Sequence, residues 1–272
     1  QDELEALTAG LERAISGEGR TMLIAGEAGM GKTRLVHELA RLAGERNVLV
    51  LPGACLYGDA PNPYAPYVEM VRAYEEQGAG WAGAPHDDEI ALALDDVRSI
   101  LGMGASADAE ARHGWRQRAA PQDAQGQAFE LISRLFAAVA RRRPLVLAID
   151  DLQWASPTTL HLFHYLARGL RGTRILLLGT YRPEDILPGA AGGRHPLREL
   201  LQRMGREHLY EQIALEAMSA EAVGALASEA LNVPSLAVEF GELLQRESAG
   251  TPFFLLETLQ LLQAQGSLER VE

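Results

Sequence analysis

Eight consecutive residues, Gly26-Glu27-Ala28-Gly29-Met30-Gly31-Lys32-Thr33, match the spacing G-x-x-x-x-G-K-[ST] of a phosphate-binding P-loop. The pattern serves one kind of chemistry. Gly26, Gly29 and Gly31 let the backbone curl without Cβ clashes, so that successive N–H groups turn toward an anion. The start of a helix behind them adds a partial positive charge. Lys32 reaches toward β- and γ-phosphates, and the Thr33 hydroxyl is placed to ligate Mg²⁺. Arg34, which follows directly, is grouped with the loop residues as a cofactor contact.

A phosphate cradle needs a partner before it can do chemistry or switching. The run LVLAI (145–149) ends in Asp150-Asp151, an apolar strand that delivers two acids to the carboxyl edge of a sheet, where ligands bind in open α/β folds. In this Walker B reading Asp150 holds Mg²⁺, directly or through water, and Asp151 orients or deprotonates the attacking water. The competing reading is that both acids simply cap the helix that follows. A third strand end, Thr180-Tyr181-Arg182, should lie at the same edge. Arg182 has the geometry to sense a γ-phosphate, or it is a surface arginine in the turn before Pro183.

Other constellations are weak. His161 and His164 are three residues apart on a helix and have no third ligand at a readable spacing, so they read as core-edge or surface residues. No G-x-S-x-G occurs, which leaves a serine hydrolase without support. No Asn-Lys-x-Asp guanine reader or L-S-G-G-Q transporter signature is present either, and adenine is the expected base.

The elements that must position these residues follow from hydrophobic periodicity. TMLIA (21–25), NVLVL (47–51), LVLAI (145–149) and RILLLG (174–179) are short apolar runs of the kind that parallel strands buried on both faces require. HLYEQIAL (208–215) is a candidate fifth strand. Proline and glycine at 52 and 53 are expected to end the second run. Helices are expected over 2–16, 33–42, 67–76, 88–101, 127–139, 157–170 and 196–204, with Ser156 as a cap and Pro157 in the first turn. Arg141-Arg142-Arg143 is expected to complement a helix C-terminal dipole. Helices alone are expected after 219, over 219–231, 235–248 and 251–265. The division is an α/β core over 1–215, containing a helical and loop insert at 77–125, and a helical lid over 216–272. Within the insert, Trp81 and Trp115 stand isolated, and Arg112, His113, Arg116 and Arg118 read as a solvated basic face.

The chain has 272 residues, a formal net charge of −12 and 47% hydrophobic residues, with only 6% aromatics. That suits one large α/β domain, or a domain with a smaller companion, packed mainly by aliphatic side chains. The acidic balance argues against a general nucleic-acid clamp. Cys55 is the only cysteine, which excludes an internal disulfide and a thiolate metal cluster and suits a reducing, cytoplasmic setting. No apolar run approaches the ~18 residues of a membrane span. The chain opens and closes within helix-like patterns, as a segment cut from a larger protein would, and the lid is expected to be truncated.

The spans GEAGMGKTRLVHELA (26–40), YGDAPNPYAPYVEMVRAY (57–74), RPLVLAIDDLQWASPTTLHLFHYLAR (143–168), ILLLGTYRPED (175–185) and ESAGTPFFLLETLQLL (247–262) resemble STAND-type signal-transduction ATPases. More narrowly, they are similar to the ATPase domain at the front of large bacterial LuxR-type transcriptional regulators and related multidomain signalling proteins. Asp150-Asp151-Leu152-Gln153-Trp154-Ala155 is the most specific element, and the resemblance fades across 77–125. It implies a P-loop NTPase core with a roughly five-stranded parallel sheet and a helical lid, with ATP or ADP held between them. It also implies that Arg182 is a sensor arginine near the γ-phosphate. Gly250-Thr251-Pro252 resembles the family's Gly-x-Pro element, which would place Pro252 against the nucleotide. Ser156 departs from the acid common at that position.

The expected function is therefore an ATP-binding switch module. It would bind Mg-ATP or ADP, with Lys32, Asp151 and Arg182 as the catalytic set and Thr33 and Asp150 as metal ligands. Slow hydrolysis would control conformation and self-association, other domains of the longer protein would be its partners, and DNA would be reached only through a domain outside this chain. The rival reading is an ordinary ATPase or small-molecule phosphotransferase whose turnover is itself the function.

Overall fold

The computed structural model describes residues 2–57, 63–78, 88–104, 121–187, 194–265 and 267. Trp81 and Trp115, and the basic cluster of Arg112, His113, Arg116 and Arg118, lie outside the described residues. The chain runs α1 (Asp2–Ile15), β1 (Arg20–Ala25), α2 (Lys32–Glu45), β2 (Leu49–Ala54), α3 (Ala65–Gly78), α4 (Asp88–Leu101), α5 (Pro121–Arg142), β3 (Leu145–Asp150) and α6 (Pro157–Arg168). It continues through β4 (Ile175–Tyr181), α7 (Pro196–Arg206), β5 (Glu211–Ala214), α8 (Ala220–Leu231), α9 (Val238–Ser248) and α10 (Pro252–Ala264). The five strands form one parallel sheet in the order β2-β3-β4-β1-β5.

The apolar runs work on both faces, as doubly covered parallel strands must. Leu145, Leu147 and Ile149 of β3, with Leu23 and Ala25 of β1, point into a large core shared with α3 to α7. Val146 and Ala148, with Met22 and Ile24, point the other way and pack against Leu7 and Leu11 of α1 and Leu39 of α2. The helix over 88–101 contributes Ile90 and Val97 to the larger core. A third, smaller core of Val223, Ala227, Leu244, Leu255 and Leu259 holds α8, α9 and α10 together.

Two expectations change. β2 does not end at Leu51; it continues through Pro52 and Gly53 to Ala54, and Pro52 pairs in register with Ala148. β2 is an edge strand, so the absent N–H of Pro52 costs no ladder bond. Helix α3 closes that edge: Gln77 Nε2 donates to Val50 O (3.0 Å) and Glu69 Oε2 accepts from Ala54 N (2.8 Å). An edge covered in this way offers little to another chain. The second change concerns Arg143. Arg141 and Arg142 lie in the last turn of α5, where basic residues complement the dipole as expected, but the Arg143 side chain turns away and donates to Asn47 O (2.8 Å). The last carbonyls of α5 also accept from Arg174, whose Nε donates to Ala140 O (3.0 Å) and whose Nη2 donates to Arg141 O.

At Gly53, β2 lies close against the start of α3. A Cβ there would lie 2.4 Å from Pro66 O and 2.9 Å from Pro66 C, main-chain atoms that cannot rotate aside. Gly53→Ala is predicted to lower stability by about 2–3 kcal/mol through overpacking. The urea midpoint should fall with an unchanged slope, and an unaltered midpoint would contradict the close approach.

Candidate functional site

The loop after β1 is held from both sides. Gly26 N donates to Tyr181 O at the end of β4 (3.3 Å), and Leu215 N, just past β5, donates to Ala25 O (2.7 Å). Gly29 (φ 79°) and Gly31 (φ 90°) both take left-handed backbone, which a side chain resists. Gly31 starts α2 without a side-chain cap, and no acid lies in the first turn of that helix. The orphan N–H groups there are therefore free for an external anion. Lys32 is buried at 7% exposure, and its ammonium donates to Gly26 O (2.7 Å) and Glu27 O (2.8 Å). Burial and then the Arg182 guanidinium push its pKa below the ordinary lysine value, against the pull of Asp151, Glu184 and Asp150. Arg34 is exposed in the first turn of α2.

Asp150 joins the three strand ends. Thr33 Oγ1 donates to its Oδ2 (3.2 Å), Thr180 Oγ1 donates to its Oδ1, and the Asp151 N–H also points at Oδ1 (3.2 Å). Asp151 sits in left-handed backbone (φ 57°), a conformation uncommon outside glycine and tolerated best by Asn and Asp. Its N–H is anchored on Thr180 Oγ1 (3.0 Å). Beyond it, Ser156 accepts from Thr159 N (3.1 Å) and caps α6. Asp150 and Asp151 thus do not cap that helix.

Arg182 faces Asp151, with Nε 3.6 Å from Oδ1. That Nε is buried and has no hydrogen-bond partner. Gln153, 3% exposed, bridges the pair: its Nε2 donates to Asp151 Oδ1 (2.8 Å), and its Oε1 accepts from Arg182 N (3.1 Å). The structure thus brings Lys32, Thr33, Asp150, Asp151 and Arg182 to one edge of the sheet.

A family model described as an AAA ATPase domain matches residues 1–178. The chain belongs to the AAA ATPase domain family. An uncharacterized protein of Rhizobium meliloti (strain 1021) is 28% identical over 192 residues, covering 67% of this chain and 18% of that protein. Among solved structures, Cdc6p from Pyrobaculum aerophilum aligns over 97% of this chain and 62% of its own, with a TM-score of 0.55 and 15% identity. The ORC2 protein of Aeropyrum pernix, solved as ADPNP and ADP complexes, aligns over 97% of this chain and 64% of its own, with a TM-score of 0.51 and 16% identity. At such identities these two likenesses show the fold alone. The chain spans less than a fifth of the bacterial relative and under two thirds of either archaeal protein.

Nucleotide binding goes with membership of the AAA ATPase domain family, and the residues present fit a nucleotide. The buried, unpartnered Arg182 Nε and the uncapped start of α2 are donors lacking an acceptor. Thr33 and Asp150 offer the hydroxyl and carboxylate oxygens that Mg²⁺ prefers. Among the described residues no three His, Cys, Asp or Glu side chains form a metal cluster, so phosphate and water would complete such a coordination shell. The Cys55 thiol, after β2, has its pKa pushed up to about 12, chiefly by burial and then by Asp151. It remains an inert thiol at neutral pH. His164 pairs with Glu207 (3.0 Å) while His161 is exposed, so the two do not converge. No described helix of the domain is long and apolar enough to cross a membrane.

Pro252 begins α10. Its neighbour Phe253 donates its N–H to Gly29 O (3.2 Å), and a Cβ on Gly29 would meet Phe253 Cβ at 2.9 Å and Thr251 Cγ2 at 3.1 Å. The C-terminal helices therefore touch the P-loop itself. Sequence reasoning missed this contact, along with the bridge at Gln153 and the hydroxyl of Thr180 on Asp150. It also missed His195, whose Nδ1 accepts from Leu197 N (3.2 Å) at the start of α7. The only available signal was that Gln153 and Thr180 stand beside motif residues.

Removing the Gln153 side chain leaves the Arg182 N–H and an Asp151 oxygen unpaired, at a cost of about 1–3 kcal/mol. Gln153→Ala is predicted to lower the thermal midpoint by about 2–12 °C, since each kcal/mol moves a domain of this size by about 2–4 °C. Scanning calorimetry would read the shift, and an unchanged midpoint would show that the bridge contributes nothing.

Proposed function

We propose that this AAA ATPase domain is a nucleotide-controlled switch module of a larger signalling or transcription regulator of the STAND type. The observation that carries the reading is the hydrogen bond from Phe253 N to Gly29 O. It sets the first turn of α10, with Pro252, on the same loop that receives phosphate. A ligand seated there meets both the core and the C-terminal helices, so its affinity differs between their open and closed arrangements. Such a difference is what a population shift requires.

On this reading Mg-ATP or Mg-ADP binds with main-chain contacts from 26–33 and side-chain contacts from Lys32, Thr33, Asp150 and Arg182. Bound Mg²⁺ would neutralise phosphate charge. Lys32 leaves the carbonyls of Gly26 and Glu27 for phosphate oxygens. Arg182 trades its 3.6 Å approach to Asp151 for the terminal phosphate, which frees Asp151 to orient a water and take its proton. Hydrolysis is slow and resets the switch. The module acts in the cytoplasm, its output is self-association of the longer protein, and with a net charge of −12 it leaves any DNA contact to a different part of that protein.

One observation favours the enzyme reading. A cavity of about 700 Å³ lies between α2 and α3, beside Thr33 and Asp150, with Val50, Ala148 and Leu178 in its floor. An acceptor molecule bound there would neighbour the phosphates. The Glu69 carboxylate in its wall, however, already accepts the Ala54 N–H, which disfavours it as a free base. Turnover in the ordinary enzyme range of about 1–10³ s⁻¹, stimulated by a small metabolite, would favour that reading over the switch.

Lys32→Ala is predicted to weaken ATP and ADP binding by about 100-fold, since an ammonium–phosphate contact is worth roughly 3 kcal/mol. Titration calorimetry of the folded variant measures it. Unchanged affinity would refute the nucleotide site.

A further inference from the structure

Helix α7 begins on a histidine. The Nδ1 of His195 accepts the N–H of Leu197 (3.2 Å), so that nitrogen carries no proton and the hydrogen of the neutral ring is on Nε2. The ring also hydrogen-bonds the main chain of Gln153, and with Nδ1 committed to Leu197 the donor to the Gln153 carbonyl is Nε2–H. Burial pushes the His195 pKa below the ordinary histidine value, against the pull of the Gln153 carbonyl and of Asp185, which keeps the ring neutral at neutral pH. Gln153 needs such a donor. It lies in a 3₁₀ turn, Leu152–Trp154, and Pro157, four residues on, has no N–H to give its carbonyl. Behind the ring, α7 is held by Leu197, Leu200, Leu201 and Met204, all buried in the larger core.

The side chain of Gln153 spans the site. Its Nε2 donates to Asp151 Oδ1 (2.8 Å) and its Oε1 accepts from Arg182 N (3.1 Å). It can hold those two groups only as firmly as its own main chain is held. We propose that His195 is a positioning residue which, through the main chain of Gln153, fixes Asp151 and Arg182 in the arrangement that hydrolysis of a bound nucleotide uses. The inference rests on the slow-hydrolysis reading above and deepens it. A fixed helix start thus reaches the acid that orients water through a single intervening residue. Releasing the Gln153 carbonyl loosens the geometry of the reacting step and leaves Lys32 and the loop main chain free to hold phosphate as before. Turnover therefore depends on His195, and nucleotide affinity hardly does. If His195 were only the cap of α7, its loss would act on stability alone.

The test compares the whole wild-type chain with His195→Asn and His195→Gln, because an Asn side-chain oxygen stands in for Nδ1 and a Gln side-chain nitrogen for Nε2. Asn is a good helix cap and keeps the Leu197 contact while losing the reach to Gln153. Gln keeps that donor and gives up the cap. Steady-state ATP hydrolysis, Mg-ATP affinity by titration calorimetry and the thermal midpoint are measured on each. His195→Asn should lower turnover about three- to tenfold, the worth of one hydrogen bond, with affinity and midpoint close to wild type. His195→Gln should recover most of that turnover while lowering the midpoint by about 2–4 °C. Wild-type turnover in His195→Asn would overturn the proposal. So would a loss of affinity as large as the loss of turnover, or turnover falling in both variants in step with the midpoint, as loss of a cap alone would produce. A wild-type chain that binds Mg-ATP without hydrolysing it defeats the hydrolysis reading and this inference with it, and one that binds no nucleotide defeats the site itself.

Discussion

The Asp150 carboxylate is the interaction on which the rest of the site depends. It gathers the Thr33 hydroxyl from the start of α2, the Thr180 hydroxyl from β4 and the Asp151 N–H from its own chain. Three neighbouring strand ends are thereby fixed relative to one another. The sheet makes this possible: β3, β4 and β1 are adjacent and parallel, so their carboxyl ends open on one edge. Their burial on both faces fixes the register, since a slip of one residue would exchange every side chain between the two cores. Aliphatic packing thus sets where the polar groups meet, and the polar groups in turn hold Asp151 in its left-handed backbone.

Around that fixed centre, several charged groups are paired provisionally. Lys32 lies on main-chain oxygens, and Arg182 faces Asp151 without a hydrogen bond from Nε. Glu184 lies on a loop N–H. A polyphosphate can take over Lys32 and Arg182, because it offers each cation an anionic acceptor in place of a neutral carbonyl or a 3.6 Å approach. In the proposed switch this is the source of bistability. The chain supplies its own modest substitutes for ligand contacts, and ligand binding exchanges them together. The C-terminal helices enter through the Phe253 bond to Gly29, so that exchange bears directly on how they sit.

Much of the fold was legible because the relevant physics is local. Runs such as LVLAI can be satisfied only by strands covered on both sides, and the P-loop glycines announce a turn that other residues resist. The sheet, its five strands and the helical C-terminal region follow from such signals. What could not be read depends on contacts distant in sequence. Pro52-Gly53 reads as a strand end, yet at a sheet edge covered by α3 the same pair continues the strand. Arg141-Arg142-Arg143 reads as a charge complement to its own helix end; Arg141 and Arg142 lie there, while the Arg143 side chain turns to Asn47 O and Arg174, from outside the helix, bonds the last carbonyls. Glu184 meets Ala28 across 156 residues, and no local pattern encodes such a pairing. The candidate site residues were visible as types at spacings. The bridge at Gln153, between Asp151 and Arg182, emerges only once β3 and β4 lie side by side.

The central claim is that the nucleotide on the P-loop is felt by the C-terminal helices through Gly29 and the first turn of α10. Amide hydrogen exchange of residues 251–256 in the nucleotide-free, Mg-ADP and Mg-ATP states tests it most directly, because the Phe253 N–H is itself the connecting bond. The account predicts that protection at Phe253 differs between the Mg-ADP and Mg-ATP states, with the sheet unchanged. Identical exchange at Phe253 in all three states, with nucleotide demonstrably bound, would contradict it.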